Sequence, residues 1–122
     1  MVEVICDTNF LIHLATKRIK NIDSVDVEIG SISYIVPEVV KAELTNLKEN
    51  TQKKQDILTT LDFIKNFKII PIHGKYADKE LINYIKKNGG IIGTMDKELK
   101  NEIKKIGGSI ISFSNDRLIL EP

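Results

Sequence analysis

Several residue types and patterns are scarce or absent in this chain of 122 residues. Cys6 is the single cysteine, so an internal disulfide is excluded, and with only two histidines a structural zinc site is not expected. No apolar run approaches the roughly 20 residues that a membrane-spanning helix needs. The N-terminus also lacks the basic and apolar regions of a signal peptide. We therefore expect a cytoplasmic protein without a membrane segment.

The chain also has almost no net charge. Its 18 lysines and arginines nearly balance 17 aspartates and glutamates, which gives a formal charge of +1. This balance neither indicates nor excludes a nucleic-acid ligand, because a local basic patch can lie beside an acidic site. A length of 122 residues with 42% hydrophobic residues, and with no repeat or linker, predicts one domain over residues 1–122.

Short apolar runs alternate along the chain with segments whose apolar residues recur at helical spacing. Predicted strands begin at Val2, Ile32, Lys68, Ile91 and Ser109, and helices lie between them. Two consecutive helices, Glu38 to about Lys48 and Thr51–Phe67, separate the second strand from the third, which is predicted over Lys68–Ile72. Residues 19–31 suit a short helix or loop, and Leu118–Leu120 suits a short final strand. This alternation predicts an α/β fold with a parallel sheet and helices on both faces.

Four carboxylates fall at corresponding places in this alternation. Asp7 follows the first strand and Asp96 the fourth, whereas Glu43 and Asp78 lie on the apolar faces of helices after the second and third strands. With the strand order 3-2-1-4-5, all four would meet at the carboxyl edge of the sheet. Simpler explanations stay open at this point. Asp7 and Asp96 suit helix N-caps, Asp78 suits a helix first turn, and Glu43 suits the edge of its apolar stripe.

Carboxylates gathered in one crevice repel one another and need compensation. Mg²⁺ and Mn²⁺ prefer oxygen ligands, and such ions can activate water and neutralise a phosphodiester during hydrolysis. The sequence offers no Ser-His-Asp arrangement and no glycine-rich phosphate loop, and His13 and His73 are interpreted as structural or surface residues. Metal-assisted phosphodiester hydrolysis is therefore the leading prediction.

The same residues resemble motifs of the PIN-domain ribonucleases, and the resemblance spans nearly the whole chain. Each motif is short, but all occur in the expected order with the expected elements between them. The matching pieces are Asp7-Thr8-Asn9, Val36-Pro37-Glu38 leading into Ala42-Glu43-Leu44, Ala77-Asp78, and Gly93-Thr94-Met95-Asp96-Lys97-Glu98-Leu99. Within the family, the chain is most similar to small archaeal PIN proteins, VapC-type toxins and nucleases that process ribosomal RNA.

The resemblance implies a three-layer α-β-α fold of sheet order 3-2-1-4-5 and Mg²⁺- or Mn²⁺-dependent cleavage of single-stranded RNA. Met95 departs from the small polar residue that is common at its position in the family. The implied catalytic and metal-binding residues are Asp7, Glu43, Asp78 and Asp96, with Asn9 and Thr94 in support. Three lysines beside the acids suit either RNA phosphates or ordinary surface positions, and these are Lys41, Lys79 and Lys97.

The biological role implied by the resemblance is RNA processing or that of a toxin restrained by an antitoxin. The expected partners are single-stranded RNA, an antitoxin or ribosome-assembly protein, and a second copy of the chain. A competing hypothesis is a catalytically weak PIN domain that binds RNA or protein. The four acids argue against it, because burying charge is costly without a function. A related phosphohydrolase is disfavoured, since Asp7-Thr8-Asn9 lacks a second aspartate two residues on.

Overall fold

The computed structural model describes residues 2–19, 31–50 and 53–121. Strands and helices alternate along these residues, apart from one pair of consecutive helices. In chain order the elements are β1 (Val2–Cys6), α1 (Thr8–Thr16), β2 (Ile32–Pro37), α2 (Glu38–Asn50), α3 (Lys54–Phe63), β3 (Lys68–Ile70), α4 (Ala77–Asn88), β4 (Ile91–Gly93), α5 (Lys97–Lys105), β5 (Ser109–Ser114) and β6 (Arg117–Glu121).

The strands form a sheet in the order β3-β2-β1-β4-β5-β6. The first five strands are parallel, and β6 returns antiparallel to β5. A tight turn makes this return possible, because Asn115 and Asp116 adopt φ angles of 53° and 59°, a left-handed conformation that Asn and Asp tolerate better than most residues. The predicted order 3-2-1-4-5 is confirmed, and the suggested final strand extends it at one edge.

Two predicted elements are shorter in the structure than in the sequence pattern. Helix α3 ends at Phe63 instead of Phe67, because the chain tightens into a turn in which the Lys65 amide donates to the Asp62 carbonyl at 3.4 Å. Strand β3 ends at Ile70 instead of Ile72, since Pro71 has no N–H to continue the ladder. The predicted start of α3 at Thr51 and the interpretation of residues 20–30 lie outside the described residues.

Helices cover both faces of the sheet, as predicted. Crossovers between parallel strands are right-handed. The connections from β1 to β2 and from β2 to β3 run towards one edge of the sheet and place their helices on one face. The connections from β3 to β4 and from β4 to β5 run the opposite way and place their helices on the other face. Accordingly, α1, α2 and α3 pack together, and α4 packs against α5. The buried core includes Phe10 and Leu44 from the first group and Leu81 and Ile103 from the second. Within the described residues, no helix is long and apolar enough to cross a membrane.

The register of the two central strands brings two polar segments together at the carboxyl edge of the sheet. Cys6 of β1 pairs with Gly93 of β4, and the next backbone amide, that of Asp7, donates to the Gly93 carbonyl at 3.0 Å. Asp7 and Thr94 therefore follow adjacent strands side by side. This is the topological position where open α/β sheets bind their ligands.

Candidate active site

Asp7 lies between the end of β1 and the start of α1, and only 8% of it is exposed. One carboxylate oxygen, Oδ1, accepts a hydrogen bond from the Phe10 amide at 2.9 Å and so caps α1. The other oxygen, Oδ2, accepts a hydrogen bond from the hydroxyl of Thr94, which is itself completely buried. The cap and the candidate functional role are thus compatible, because the Asp7 side chain caps α1 and also lines the adjoining cavity.

Asp96 is the second acid that caps a helix. Its Oδ1 atom accepts a hydrogen bond from the Leu99 amide at 3.1 Å, which fixes it at the N-terminus of α5. Its own amide donates to the hydroxyl oxygen of Thr94 at 3.1 Å. Thr94 therefore contacts both strand-end acids, accepting from the backbone of one and donating to the carboxylate of the other. This places a sequence-predicted supporting residue behind Asp7, outside the cavity lining.

Glu43 and Asp78 come from helices on opposite faces of the sheet. Glu43 lies on α2 and Asp78 in the first turn of α4. Both are exposed to solvent, as is Asp96, so Asp7 alone of the four acids is buried. The expectation that all four are buried is therefore wrong for three of them, although Asp78 is still partly shielded from water.

All four carboxylates line the same cavity, whose volume is about 340 Å³. Asn9 also lines it, and the buried Thr8 hydroxyl in its wall has no hydrogen-bond partner among the described residues. The complete lining is Asp7, Thr8, Asn9, Glu43, Lys75, Tyr76, Ala77, Asp78 and Asp96. The cavity is thus a strongly acidic pocket at the carboxyl edge of the sheet.

The acids perturb one another across the cavity. The pKa of the Asp7 carboxyl is raised from 3.8 to about 6, chiefly by burial and to a smaller extent by the charges of Asp78 and Asp96, while the hydrogen bonds from Thr94 and the Phe10 amide oppose the shift. Burial and the charge of Asp96 also raise the pKa of Asp78, with a smaller contribution from Glu98. Excess negative charge is therefore the main electrostatic property of this pocket.

The donor set fits a hydrated hard cation. Carboxylate oxygens are the ligands that Mg²⁺ and Mn²⁺ prefer, and a positive ion would offset the burial and the repulsion that together raise the pKa of Asp7. No three acidic, histidine or cysteine side chains in the described parts of the chain already converge closely enough to enclose an ion. Magnesium does not require such a cage, because it commonly keeps several waters and binds through one or two carboxylates. A cavity of about 340 Å³ leaves room for those waters.

The lysines at the cavity differ from those singled out in the sequence. Lys41, Lys79 and Lys97 are exposed and do not line the cavity, whereas Lys75 does. The pattern missed Lys75 and its neighbour Tyr76 because both precede α4 in a segment without periodicity. The sequence does place both residues directly before a helix that carries a predicted site acid, and that proximity could have indicated that they lie near the site. A role for the three predicted lysines in binding phosphate stays a prediction.

The fold and the pocket define an α/β protein with a doubly covered sheet and a carboxylate-lined cavity at its strand ends. Residues 4–115 match the sequence model of a family described as "PIN like domain". The chain therefore belongs to the PIN-domain family, and the resemblance noted in its motifs is confirmed. It is 29% identical over 97 residues to Ribonuclease VapC4 of Methanocaldococcus jannaschii, covering 75% of this chain and 74% of that protein.

Solved structures support the same assignment. The PIN domain endonuclease Utp24 superposes with a TM-score of 0.75 at 27% sequence identity, covering 98% of this chain and 93% of the Utp24 chain. VapBC2 from Rickettsia felis, solved with a DNA fragment from its promoter, superposes with a TM-score of 0.57. That match covers 93% of this chain and all of the other, and at 17% identity it shows the fold alone.

Proposed function

We propose that this protein is a Mg²⁺- or Mn²⁺-dependent endoribonuclease that hydrolyses phosphodiester bonds of single-stranded RNA. The observation that carries the proposal is the single cavity lined by Asp7, Glu43, Asp78 and Asp96. Its similarity to a protein named Ribonuclease VapC4 and to the endonuclease Utp24 supports a nuclease, and the carboxylate chemistry supports the metal dependence.

The four acids would hold one or two ions, which supply positive charge for the phosphodiester and activate the attacking water. Asp7 has the most constrained geometry, since the Phe10 amide and the Thr94 hydroxyl fix both of its oxygens. Asp96 is fixed through its cap on α5. Helix termini thus hold two ligands rigidly, while the exposed Glu43 and Asp78 leave the cavity open to a polynucleotide.

The proposal includes a protein partner. One relative is named Ribonuclease VapC4, and the motifs resemble those of VapC-type toxins, which favours an antitoxin that restrains the enzyme. The resemblance of the motifs to nucleases that process ribosomal RNA favours instead a role in RNA processing with ribosome-assembly proteins. The two settings share one site chemistry, and a small antitoxin gene directly upstream would distinguish the toxin from the processing enzyme.

The test is cleavage of a panel of single-stranded RNAs with Mg²⁺ or Mn²⁺, compared with the same reactions in EDTA. Asp7→Asn and Asp96→Ser each retain an N-cap acceptor while removing the carboxylate. We expect both variants to remain folded and to lose at least about 100-fold in rate, the scale of losing one transition-state charge stabiliser. Glu102→Gln on α5 is the matched control, because Glu102 is exposed and pairs with Lys105 away from the cavity.

Cleavage that survives EDTA, or that persists in both folded acid variants, would contradict the proposal. Absence of cleavage in the wild type, together with no Mn²⁺ binding by calorimetry, would favour the alternative of a catalytically weak binding module. Binding of Mn²⁺ that is weakened in Asp7→Asn and unchanged in Glu102→Gln would support the assignment of the metal site independently of activity.

A further inference from the structure

Tyr76 is the large hydrophobic side chain with the greatest exposure among the described residues, at 59%. It lines the acidic cavity. Most aromatic rings of the chain pack on one another, as Phe10 does on Phe113 at 4.8 Å between centroids. Tyr76 instead faces the ammonium of Lys75, which lies 5.6 Å from its ring centroid. An aromatic ring held at the rim of a charged pocket suggests a ligand with a flat apolar surface.

The backbone of Tyr76 is fixed next to one of the acids. Tyr76 is the residue before the first turn of α4, with an extended backbone, and its carbonyl accepts from the Glu80 amide at 3.2 Å. Asp78 follows two residues later in the same helical turn. The Tyr76 backbone is therefore tied to the helical turn that carries Asp78, so a group stacked on the ring would lie beside the acidic pocket.

Single-stranded RNA has the chemistry that matches these two side chains. Its unpaired bases expose faces that stack on aromatic rings, whereas the bases of a duplex are already stacked. Its phosphates would be repelled by the four carboxylates, and Lys75 is the cationic side chain in the cavity lining. A lysine has a long, flexible side chain, so Lys75 can leave the Tyr76 ring for a phosphate oxygen when a base occupies the ring.

We propose that Tyr76 stacks a nucleobase of single-stranded RNA beside the bond to be cleaved, and that Lys75 binds an adjoining phosphate. The inference rests on the proposed nuclease function and deepens it, because it explains selection of unpaired RNA by this domain. Tyr76 and Lys75 act here as substrate-positioning residues. The acids alone would not distinguish a single strand from a duplex.

The experiment measures RNA binding separately from cleavage. The parent protein is Asp7→Asn, with Mg²⁺ present, and the probe is a single-stranded oligoribonucleotide that carries the fluorescent base 2-aminopurine. Anisotropy gives the Kd, and quenching of 2-aminopurine reports stacking. Tyr76→Phe should bind within about twofold of the parent and retain the quenching. Tyr76→Leu and Tyr76→Ala should bind about tenfold more weakly and lose it, as expected for the loss of one base–aromatic stack.

Lys75→Gln tests the phosphate contact through salt dependence. Each phosphate contact on a single strand contributes about 0.7 to the slope of log K against log salt concentration, so we expect Lys75→Gln to reduce that slope by about 0.7. Lys86→Gln is the matched control, because Lys86 lies in the last turn of α4, at the opposite end of the helix from Lys75, and its slope should equal that of the parent. A duplex of the same sequence should bind the parent more weakly and should show no dependence on Tyr76.

The outcomes separate this inference from the proposed function. The stacking role would be overturned if the parent, Tyr76→Leu and Tyr76→Ala showed equal affinity and equal quenching. The proposed metal-dependent nuclease would stand in that case, and the exposed ring would be assigned to contact with a protein. A parent that does not bind single-stranded RNA would overturn the inference outright. If the wild type then also fails to cleave RNA with Mn²⁺, the proposed function falls with it.

Discussion

The hydroxyl of Thr94 donates a hydrogen bond to the Oδ2 atom of Asp7 across two adjacent parallel strands. The same hydroxyl oxygen accepts the amide of Asp96 at 3.1 Å. Because a hydroxyl has one proton, accepting from Asp96 directs that proton towards Asp7. A residue outside the cavity lining thus orients one acid of the pocket and lowers its pKa, while it also fixes the turn that carries a second acid.

Replacing Thr94 with valine should raise the pKa of Asp7 above about 6, because the Thr94 hydrogen bond stabilises the charged carboxylate. The acid limb of the cleavage rate against pH should move to higher pH. The partly buried amide of Asp96 also loses its acceptor, so we expect a stability loss of about 1 kcal/mol. Carboxyl titration by NMR in metal-free protein measures the pKa, and single-turnover rates measure the limb.

Thr94→Ser is the matched control for this prediction, since it keeps the hydroxyl and removes only the methyl group. Its pH profile should match that of the wild type. An unchanged pH limb in a folded Thr94→Val protein would show that Thr94 acts only in packing.

Asp7→Asn should stabilise the metal-free protein at neutral pH even though it removes activity. The pKa of Asp7 is about 6 in the folded protein and 3.8 as the reference value, so the folded state holds this proton more tightly than the unfolded state. Ionisation of Asp7 therefore does not lower the free energy of unfolding below pH 3.8. The loss of stability grows as the pH rises towards 6 and is then constant, at up to about 3 kcal/mol. Urea unfolding in EDTA at several pH values measures this difference.

We expect the gain in stability of Asp7→Asn to be largest above pH 6 and to vanish near pH 4. A variant that is less stable than the wild type at pH 7 would contradict this account and would indicate that the hydrogen bonds to the carboxylate outweigh its burial. Added Mn²⁺ should reverse the order at neutral pH, because only the wild type keeps the full ligand set and binding stabilises the folded state.

The sequence predicted that the four acids would meet at one edge of the sheet, and they do line one cavity, because strand ends and helix faces follow simple periodicities. Asp7 and Asp96 follow buried strands, and alternation of strands and helices places such ends at one edge of the sheet. The helix cap and the proposed functional role do not exclude each other, since both residues cap a helix and also line the cavity. One carboxylate oxygen suffices for the cap, and the side chain still reaches the cavity.

Other properties of the site could not be predicted from the sequence. The unequal burial of the acids depends on how two helical groups meet the sheet edge, which no local pattern encodes. Lys75 and Tyr76 lie in an aperiodic segment, so only the fold shows that they border the cavity. Lys41, Lys79 and Lys97 were chosen for proximity in sequence, but neighbours on a helix point in different directions, about 100° apart.

Glu121→Gln should destabilise the protein at neutral pH and have no effect in strong acid. Hydrogen bonds from Lys104 at 3.0 Å, and from Lys100 and Ser112, lower the pKa of Glu121 from 4.5 to about 2. A lowered pKa gives stability above pH 4.5 that is lost as the pH falls through 2. The carboxylate is partly exposed, so we expect a loss of about 1 kcal/mol at pH 7 by chemical denaturation.

The control for Glu121 is Glu102→Gln, which removes one acid of an exposed pair with Lys105 on the outer face of α5. It should change stability by less than about 0.5 kcal/mol at any pH. A loss for Glu121→Gln that persists unchanged to pH 2 would mean that β6 depends on the packing of this side chain and not on its charge.

Gly93→Ala should destabilise the protein by about 1–3 kcal/mol, because the added methyl group overpacks the core beside the site. An added Cβ would lie 2.8 Å from Cε1 of Phe10. That ring is fully buried and stacked on Phe113, so it has little room to move. Thermal unfolding measures the loss. The double variant Gly93→Ala with Phe10→Leu should be more stable than the sum of the two single losses, since the smaller side chain relieves the contact. Strict additivity would show that the methyl group is accommodated by backbone movement, and in that case the Asp7–Thr94 alignment and the cleavage rate should suffer instead.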